Sequence, residues 1–248
     1  SLDRRSFLKS AAATTGALTG LVAAGPTGRA AETPEPAASA ERPVIYKAVK
    51  WGMIDEKLSV ADKLRLLQDL GFDGVELDSP GGVNKQEAFD ASRKTGFPIH
   101  GAVDSTHWQI RLSDPDPTTR ARGLKDLLTA IEESHSCGGS SVLLVPGHGK
   151  DGTSEQVAER SLEQIQQALP LAAKLGVHIL IENVWNQFCY QHDGPANQTA
   201  DRLARYIDQA QSPWLGSYFD IGNHRKYGVP SQWLRRLGHR VVKLDVKD

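Results

Sequence analysis

The chain has 248 residues, 39% of them hydrophobic, enough for one sizeable core of the size common among α/β barrels. With 29 basic and 30 acidic residues its formal net charge is −1, so no general electrostatic pull toward nucleic acid or an anionic membrane surface exists. Its two cysteines have no metal-ligand spacing. Cys137 precedes one predicted strand and Cys189 follows another, so both are expected as free thiols at opposite ends of a barrel.

The first segment reads as an address. Asp3-Arg4-Arg5-Ser6-Phe7-Leu8-Lys9 resembles the twin-arginine export signal, a weakly apolar run covers Ala11 to Ala24, and small residues near Gly28-Arg29-Ala30-Ala31 offer a cleavage site. An amphipathic helix with two adjacent arginines is the plainer alternative, but the order of charged, apolar and small residues favours a signal peptide over 1–31. That implies export to the periplasm or cell envelope. The run is too short and too rich in Ala and Gly for a stable span of about 20 strongly apolar residues. Residues 32–43 are rich in Pro, Ala and Glu and read as a disordered linker. Twin-arginine export carries folded proteins, so a cofactor could be loaded before export.

From Val44 strand and helix alternate. The predicted strands are Val44–Lys50, Gly74–Leu77, Pro98–Ala102, Ser141–Val145, Val177–Glu182, Leu215–Asp220 and Arg240–Val246. Helical spacing covers Val60 to Gly71, Thr118 to His135, Ser154 to Lys174 and Pro195 to Gln211. Such alternation predicts parallel strands joined by right-handed crossovers. The fold class is therefore α/β, a (β/α)8 TIM barrel over residues 44–248 that stops after its seventh strand. The chain begins at Ser1 and ends at Asp248, so a fragment is expected, lacking a helix, a strand and a further helix.

Chemistry gathers where strands end. The apolar run Val177 to Ile181 stops on Glu182 and Asn183, and Leu215 to Phe219 stops on Asp220. Carboxylates at the C-terminal ends of parallel barrel strands lie on the catalytic face, and two of them on nearby strands suggest a metal or acid–base site. Each also has a plainer reading, as a strand-end carboxylate paired with lysine or capping the next helix. Glu76, taken to end the second strand, could reach a substrate or only brace the following loop. His100, taken to end the third, could bind a substrate hydroxyl or be a satisfied core histidine. Trp108 could stack on the apolar face of a sugar or close the barrel end. Asn186 reads as a contact to substrate or to the ligands, and Trp185 as a wall.

Several strings occur in an order and spacing that resemble the sugar phosphate isomerase/epimerase superfamily of xylose-isomerase-like barrels. They are Gly71-Phe72-Asp73-Gly74-Val75-Glu76-Leu77, Leu112-Ser113-Asp114-Pro115-Asp116, Val142-Leu143-Leu144-Val145-Pro146-Gly147, Ile181-Glu182-Asn183-Val184-Trp185-Asn186, Tyr218-Phe219-Asp220-Ile221-Gly222-Asn223 and Val241 to Asp248. The resemblance implies a divalent ion at the barrel mouth, manganese first and magnesium next, with Glu182 as ligand and acid/base and Asp220 as second ligand. It implies Asn223 beside the substrate, with His224 adjacent. Many relatives carry a metal-binding histidine where this chain has Asp245, which could ligate a hard cation or mark a vacant position. A second catalytic glutamate is expected from an eighth strand.

The implied activity is a metal-dependent isomerase or epimerase of a sugar or keto-sugar, moving a proton next to a carbonyl through an enediolate. Two carboxylates on opposite faces of the substrate would epimerise, and one working with water would exchange aldose and ketose. Export argues against a phosphorylated substrate. The alternatives are a lyase on a 3-keto-glycoside or polyol, using the same enolate chemistry, and a non-catalytic carbohydrate-binding barrel. A nuclease like endonuclease IV is disfavoured by Asn223 and Asp245 in place of metal-binding histidines. The expected partner is a small carbohydrate and not nucleic acid, with a homo-oligomer left open.

Overall fold

Seven parallel strands follow one another around a single sheet in chain order. A computed structural model describes residues 44–247 of the protein. The predicted export signal over 1–31 and linker over 32–43 lie outside the described residues. The strands are β1 (Ala48–Lys50), β2 (Gly74–Ser79), β3 (Ile99–Asp104), β4 (Ser141–Leu144), β5 (His178–Glu182), β6 (Leu215–Asp220) and β7 (Val241–Asp245). Six helices connect them: α1 (Val60–Asp69), α2 (Lys85–Thr95), α3 (Pro117–Ser136), α4 (Ser154–Leu175), α5 (Asp201–Gln209) and α6 (Pro230–Leu237). Among the described residues no helix is long and apolar enough to cross a membrane.

The runs Val142–Leu144 and Ile179–Ile181 are wholly buried because alternate side chains face two apolar layers. One face packs under the helices, where Ile131, Ile165, Ile179, Phe219 and Trp233 share a large cluster and Leu64, Val75 and Leu77 a smaller one. The other face fills the barrel interior with Leu143, Leu180 and Tyr218. Each fully buried aliphatic side chain contributes on the order of 1.5–3 kcal/mol. Within the sheet β1 and β7 share no ladder, yet Lys50 of β1 and Asp245 of β7 meet at 2.5 Å, so the curl brings the first and last strands together.

Local chemistry sets the helix ends. The Asp116 carboxylate caps α3 by accepting from Thr118 and Thr119 N–H, with Pro117 at the first helical position. Thr153 and Gln156 form a reciprocal capping box on α4, which ends at Gly176 with φ 69°.

The sequence pattern announces neither α2 nor α6. α2 buries only Ala88 and Ala91, too thin a stripe to stand out, and is defined by its Asn84 cap and left-handed Gly96. α6 has eight residues and buries two, Trp233 and Leu237. The helix expected from Pro195 begins at Asp201, because the Gln198 side chain bonds the backbone of Gln191 and Pro195 and holds that stretch as a loop. β2 and β3 run two residues beyond their expected ends, to Ser79 and Asp104, and this shift relocates two candidate site residues. Both cysteines are free.

Candidate active site

Glu182, Asp220 and Asp245 close β5, β6 and β7 and point into one space at the C-terminal mouth. A carboxylate oxygen from each lies within 4.8 Å of the other two. Alternation explains the convergence: Leu180 and Glu182, Tyr218 and Asp220, Lys243 and Asp245 are two apart and share the interior face. In-register pairing of Glu182 with Tyr218 and of Asp220 with Asp245 fixes the relative heights.

The three carboxylates are held differently. Asp220 is fully buried, and its Oδ1 accepts from the backbone N–H of Gly222 (2.8 Å) and Asn223 (2.7 Å). Its Oδ2 accepts no well-aligned hydrogen bond, although the Lys247 ammonium stands 2.7 Å away. Asp245 pairs with Lys50 at 2.5 Å, not with its neighbours Lys243 and Lys247. Glu182 has neither a hydrogen bond nor an ion pair to its carboxylate among the described residues. Burial pushes its carboxyl up to about 7 against the pull of the Lys50 ammonium, with Asp245 and Asp220 adding to the rise. For Lys50 burial works in the lowering direction, but Glu182 and Asp245 outweigh it and hold the ammonium above its ordinary value.

The donor set fits a hard divalent cation. Such ions bind oxygen at about 2.0–2.4 Å, so opposite ligands stand at most about 4–5 Å apart, matching the observed spacing. Asp220 Oδ2, buried and fixed in place through its partner oxygen, has no aligned donor and faces only the Lys247 ammonium, a position that a bound cation could take over.

Below the trio lies a polar floor absent from the sequence-based expectation. Lys243 crosses the interior to Glu76 Oε1 (3.0 Å) and His100 Nδ1 (2.5 Å), and the Tyr218 hydroxyl donates to Glu76 Oε2 (3.0 Å). Burial lowers Lys243 from its ordinary value, opposed by Glu76. Burial and the Lys243 ammonium lower His100 to about 4, so the imidazole is neutral near pH 7. Glu76 is the third residue of six in β2 and His100 the second of six in β3. Neither ends its strand. Glu76 is 1% exposed and both its oxygens are engaged from within, so it braces the floor.

The other expected residues separate into wall and scaffold. Trp108 and Trp185 are exposed, and the Trp185 indole donates to the Asn223 carbonyl. Asn223 donates from Nδ2 to Asn183 O (2.8 Å), tying the two strand ends together beside Asp220. Asn186 is buried, donating to Gly147 O (2.6 Å) and accepting from Phe188 N (3.1 Å); both ends of its amide serve backbone, which places it in the scaffold. His224 is also scaffold, packed edge-on against Trp233 and lowered to about 4 mainly by burial.

Asn183 was not singled out, although it directly follows Glu182. Its amide donates to Asp220 O (2.9 Å) and accepts from Asp220 N (2.8 Å), clamping β5 to β6 at the ligand. Lys50 and Lys243 were legible in principle, as a strand-end residue and as the residue two before Asp245.

At the end of β3, buried Asp104 accepts from the N–H and hydroxyl of Thr106, yet burial raises its carboxyl to about 6. A carboxyl raised in the folded state binds more protons there than when unfolded. Its contribution therefore favours folding in acid and is lost as pH rises from about 4 through about 6, on the order of 3 kcal/mol. Asp104→Asn, which keeps an acceptor for Thr106, is expected to raise the melting temperature at pH 7.5 and not at pH 4. Equal shifts in thermal melts at both pH values would contradict this.

A parallel barrel with converging carboxylates at its strand ends defines an α/β enzyme whose chemistry sits at the mouth. The family model described as xylose isomerase-like TIM barrel matches residues 64–248, and the chain belongs to that family. It is 23% identical over 224 residues to L-ribulose-5-phosphate 3-epimerase of Escherichia coli (strain SE11), covering 83% of this chain and 75% of the relative. Among solved structures, 3-keto-D-glucoside 4-epimerase from E. coli shares the fold at a TM-score of 0.68 with 19% identity, covering 82% of this chain and 80% of that one. D-allulose 3-epimerase from Methylomonas sp., in complex with D-allulose, shares it at 0.64 with 15% identity, covering 82% and 72%. The chain is thus an isomerase/epimerase-like enzyme of the sugar isomerase/epimerase superfamily.

Proposed function

We propose that this enzyme is a metal-dependent isomerase or epimerase of a non-phosphorylated sugar or keto-sugar, transferring a proton at the carbon beside a carbonyl. The observation that carries the reading is the division of labour in the trio. Asp220 is fixed through one oxygen and leaves the other unaligned, Asp245 is charge-paired, and Glu182 alone is uncommitted. Glu182, Asp220 and Asp245 would hold a divalent cation, most suitably manganese or else magnesium, which would supply positive charge at the substrate's carbonyl oxygen. Glu182 takes the proton from the neighbouring carbon; its delivery to the adjoining carbon gives the isomer, and delivery to the opposite face of the same carbon by a second acid gives the epimer. Asn183 and Asn223 hold the strand ends so that this carboxylate keeps its distance from the reacting carbon. Exposed Trp185 offers its ring as a wall for the sugar. The relatives named for ribulose phosphate, keto-glucoside and allulose epimerisation support the chemistry.

Residence in the periplasm or cell envelope is part of the proposal, resting on the twin-arginine-like order of residues 1–31, and cell fractionation tests it. The central experiment is metal analysis joined to solvent exchange. Wild type is expected to hold one equivalent of manganese and to incorporate deuterium from heavy water into a bound ketose, with Asp220→Asn losing the ion at least tenfold. A wild-type protein that takes up no divalent ion after soaking in manganese would overturn the metal-dependent mechanism.

A further inference from the structure

Beside Asp220 the loop after β6 and the residues that follow β7 border a half-open cavity of about 470 Å³, lined by Trp185, Ile221, Asn223, Arg225, Pro230 and Lys247. Among the described residues its walls carry two cations and no carboxylate. Lys247 faces Asp220, while Arg225 is exposed and has no ion-pair partner among the described residues. Three acidic groups of the adjoining mouth are countered by Lys50 and Lys247, and a divalent ion together with Arg225 would turn the local balance positive. Trp185, 58% exposed, supplies an aromatic face next to these charges. One rim of the site would therefore be apolar and cationic, continuous with the carboxylate trio through Asp220.

We propose that this cavity binds a carboxylate carried by the sugar, so that the enzyme's substrates are sugar acids, keto-aldonates or uronates, with Arg225 as the specificity-determining residue. This rests on the proton-transfer reading above and narrows its substrate class. Planar carboxylate matches the guanidinium fork two oxygens to two N–H groups. Phosphate is favoured where backbone N–H groups form a cradle or a helix N-terminus opens. Among the described residues the cavity has no amide nest, and the N-terminus of α6 beside it loses its first donor to Pro230. The amides of Gly222 and Asn223 are taken by Asp220 Oδ1, those of Ile221 and Arg225 by the carbonyls of Asp245 and Gly222, and α6 opens on Pro230, which has none. The cavity has side-chain charge and no amide nest. Trp185 would stack on the sugar ring while Arg225, the cation without an ion-pair partner among the described residues, holds its acid end.

The test uses manganese-loaded protein and three six-carbon ligands, D-fructose, 5-keto-D-gluconate and D-fructose 6-phosphate, each titrated calorimetrically and assayed for deuterium uptake. The keto-acid is expected to bind at least tenfold more tightly than fructose. Arg225→Gln should weaken the keto-acid about ten- to thirtyfold and leave fructose unchanged, and Arg225→Lys should recover part of the loss. Equal affinity for acid and neutral sugar, tighter binding of the phosphate, or an Arg225→Gln loss shared by all three ligands would each overturn the carboxylate pocket. Deuterium uptake that continues in those cases leaves the proton-transfer reading standing. Arg225-dependent binding of the acid without uptake into any ligand upholds the pocket and removes the proton-transfer reading instead.

Discussion

Glu182→Gln is expected to lower hydrogen exchange into a bound ketose by about 10²–10⁴-fold, the range over which a positioned acid/base group contributes. The side chain keeps its size and an oxygen that can still face a cation, but an amide cannot take up the proton that the carboxylate accepts. Among the trio this loss falls on Glu182 for a structural reason. Asp220 has one oxygen held by two backbone N–H groups and Asp245 is bound to Lys50, whereas the Glu182 carboxylate has no such tie. Metal analysis of the same variant separates its two roles. An ion retained with exchange abolished assigns Glu182 to proton transfer. An ion lost together with exchange makes it chiefly a ligand, and the base must then be sought elsewhere. Exchange within threefold of wild type would remove Glu182 from the mechanism.

Glu182 and Asp220 are legible in the sequence because they obey one rule, a carboxylate closing an apolar run, which needs only local pattern, whereas Asp245 enters only through the family resemblance. Glu182 and Asp220 end their strands as their apolar runs indicate, and Asp245 ends β7. The same rule misplaced Glu76 and His100. It depends on knowing where a strand stops, and the stretches Asp78-Ser79 and Val103-Asp104, each ending on a polar residue, give no sign that the ladders of β2 and β3 continue through them. What extends those strands is pairing between them, a contact no local window contains. The floor was hidden for a related reason. Lys243, Glu76, Tyr218 and His100 come from β7, β2, β6 and β3, up to 167 residues apart in the chain, and meet only once the sheet curls. Lys243 next to Leu244 reads as a surface lysine in a half-exposed strand. Periodicity counted from Asp245 places it inside.

Among the loop residues, Trp185 and Asn186 follow from their place beside Glu182 and Asn223 and His224 from the family resemblance, and the structure sorts all four by what their polar atoms already do. Asn186 and His224 are buried within the scaffold, while Trp185 and Asn223 remain at the mouth. Asn183 was passed over because an amide after a catalytic-looking carboxylate draws no notice by type. Its importance is geometric, two hydrogen bonds to the backbone of Asp220.

That floor makes the second large prediction. Glu76 is 1% exposed and is neutralised by Lys243, whose own side chain is 19% exposed. Breaking a buried pair from one side strands the other charge, at a cost of about 3–5 kcal/mol, whereas replacing both partners by neutral groups of similar shape is often close to neutral. Glu76→Gln keeps an acceptor for the Tyr218 hydroxyl but leaves the Lys243 ammonium without its counter-charge. It is therefore expected to destabilise the barrel by about 3–5 kcal/mol. Lys243→Met alone should cost a similar amount, since it leaves Glu76 ionised and enclosed. Combining them should restore stability to within about 1–2 kcal/mol of wild type. The coupling arises because the Gln amide can satisfy Tyr218 and present an N–H toward neutral His100, with no charge left to solvate. Urea denaturation of the four proteins measures it directly. Single-variant losses that simply add in the double variant would mean that solvent reaches the floor and screens the pair. Glu76 would then be accessible from the mouth, and its place as an internal brace would give way to a contact with the sugar.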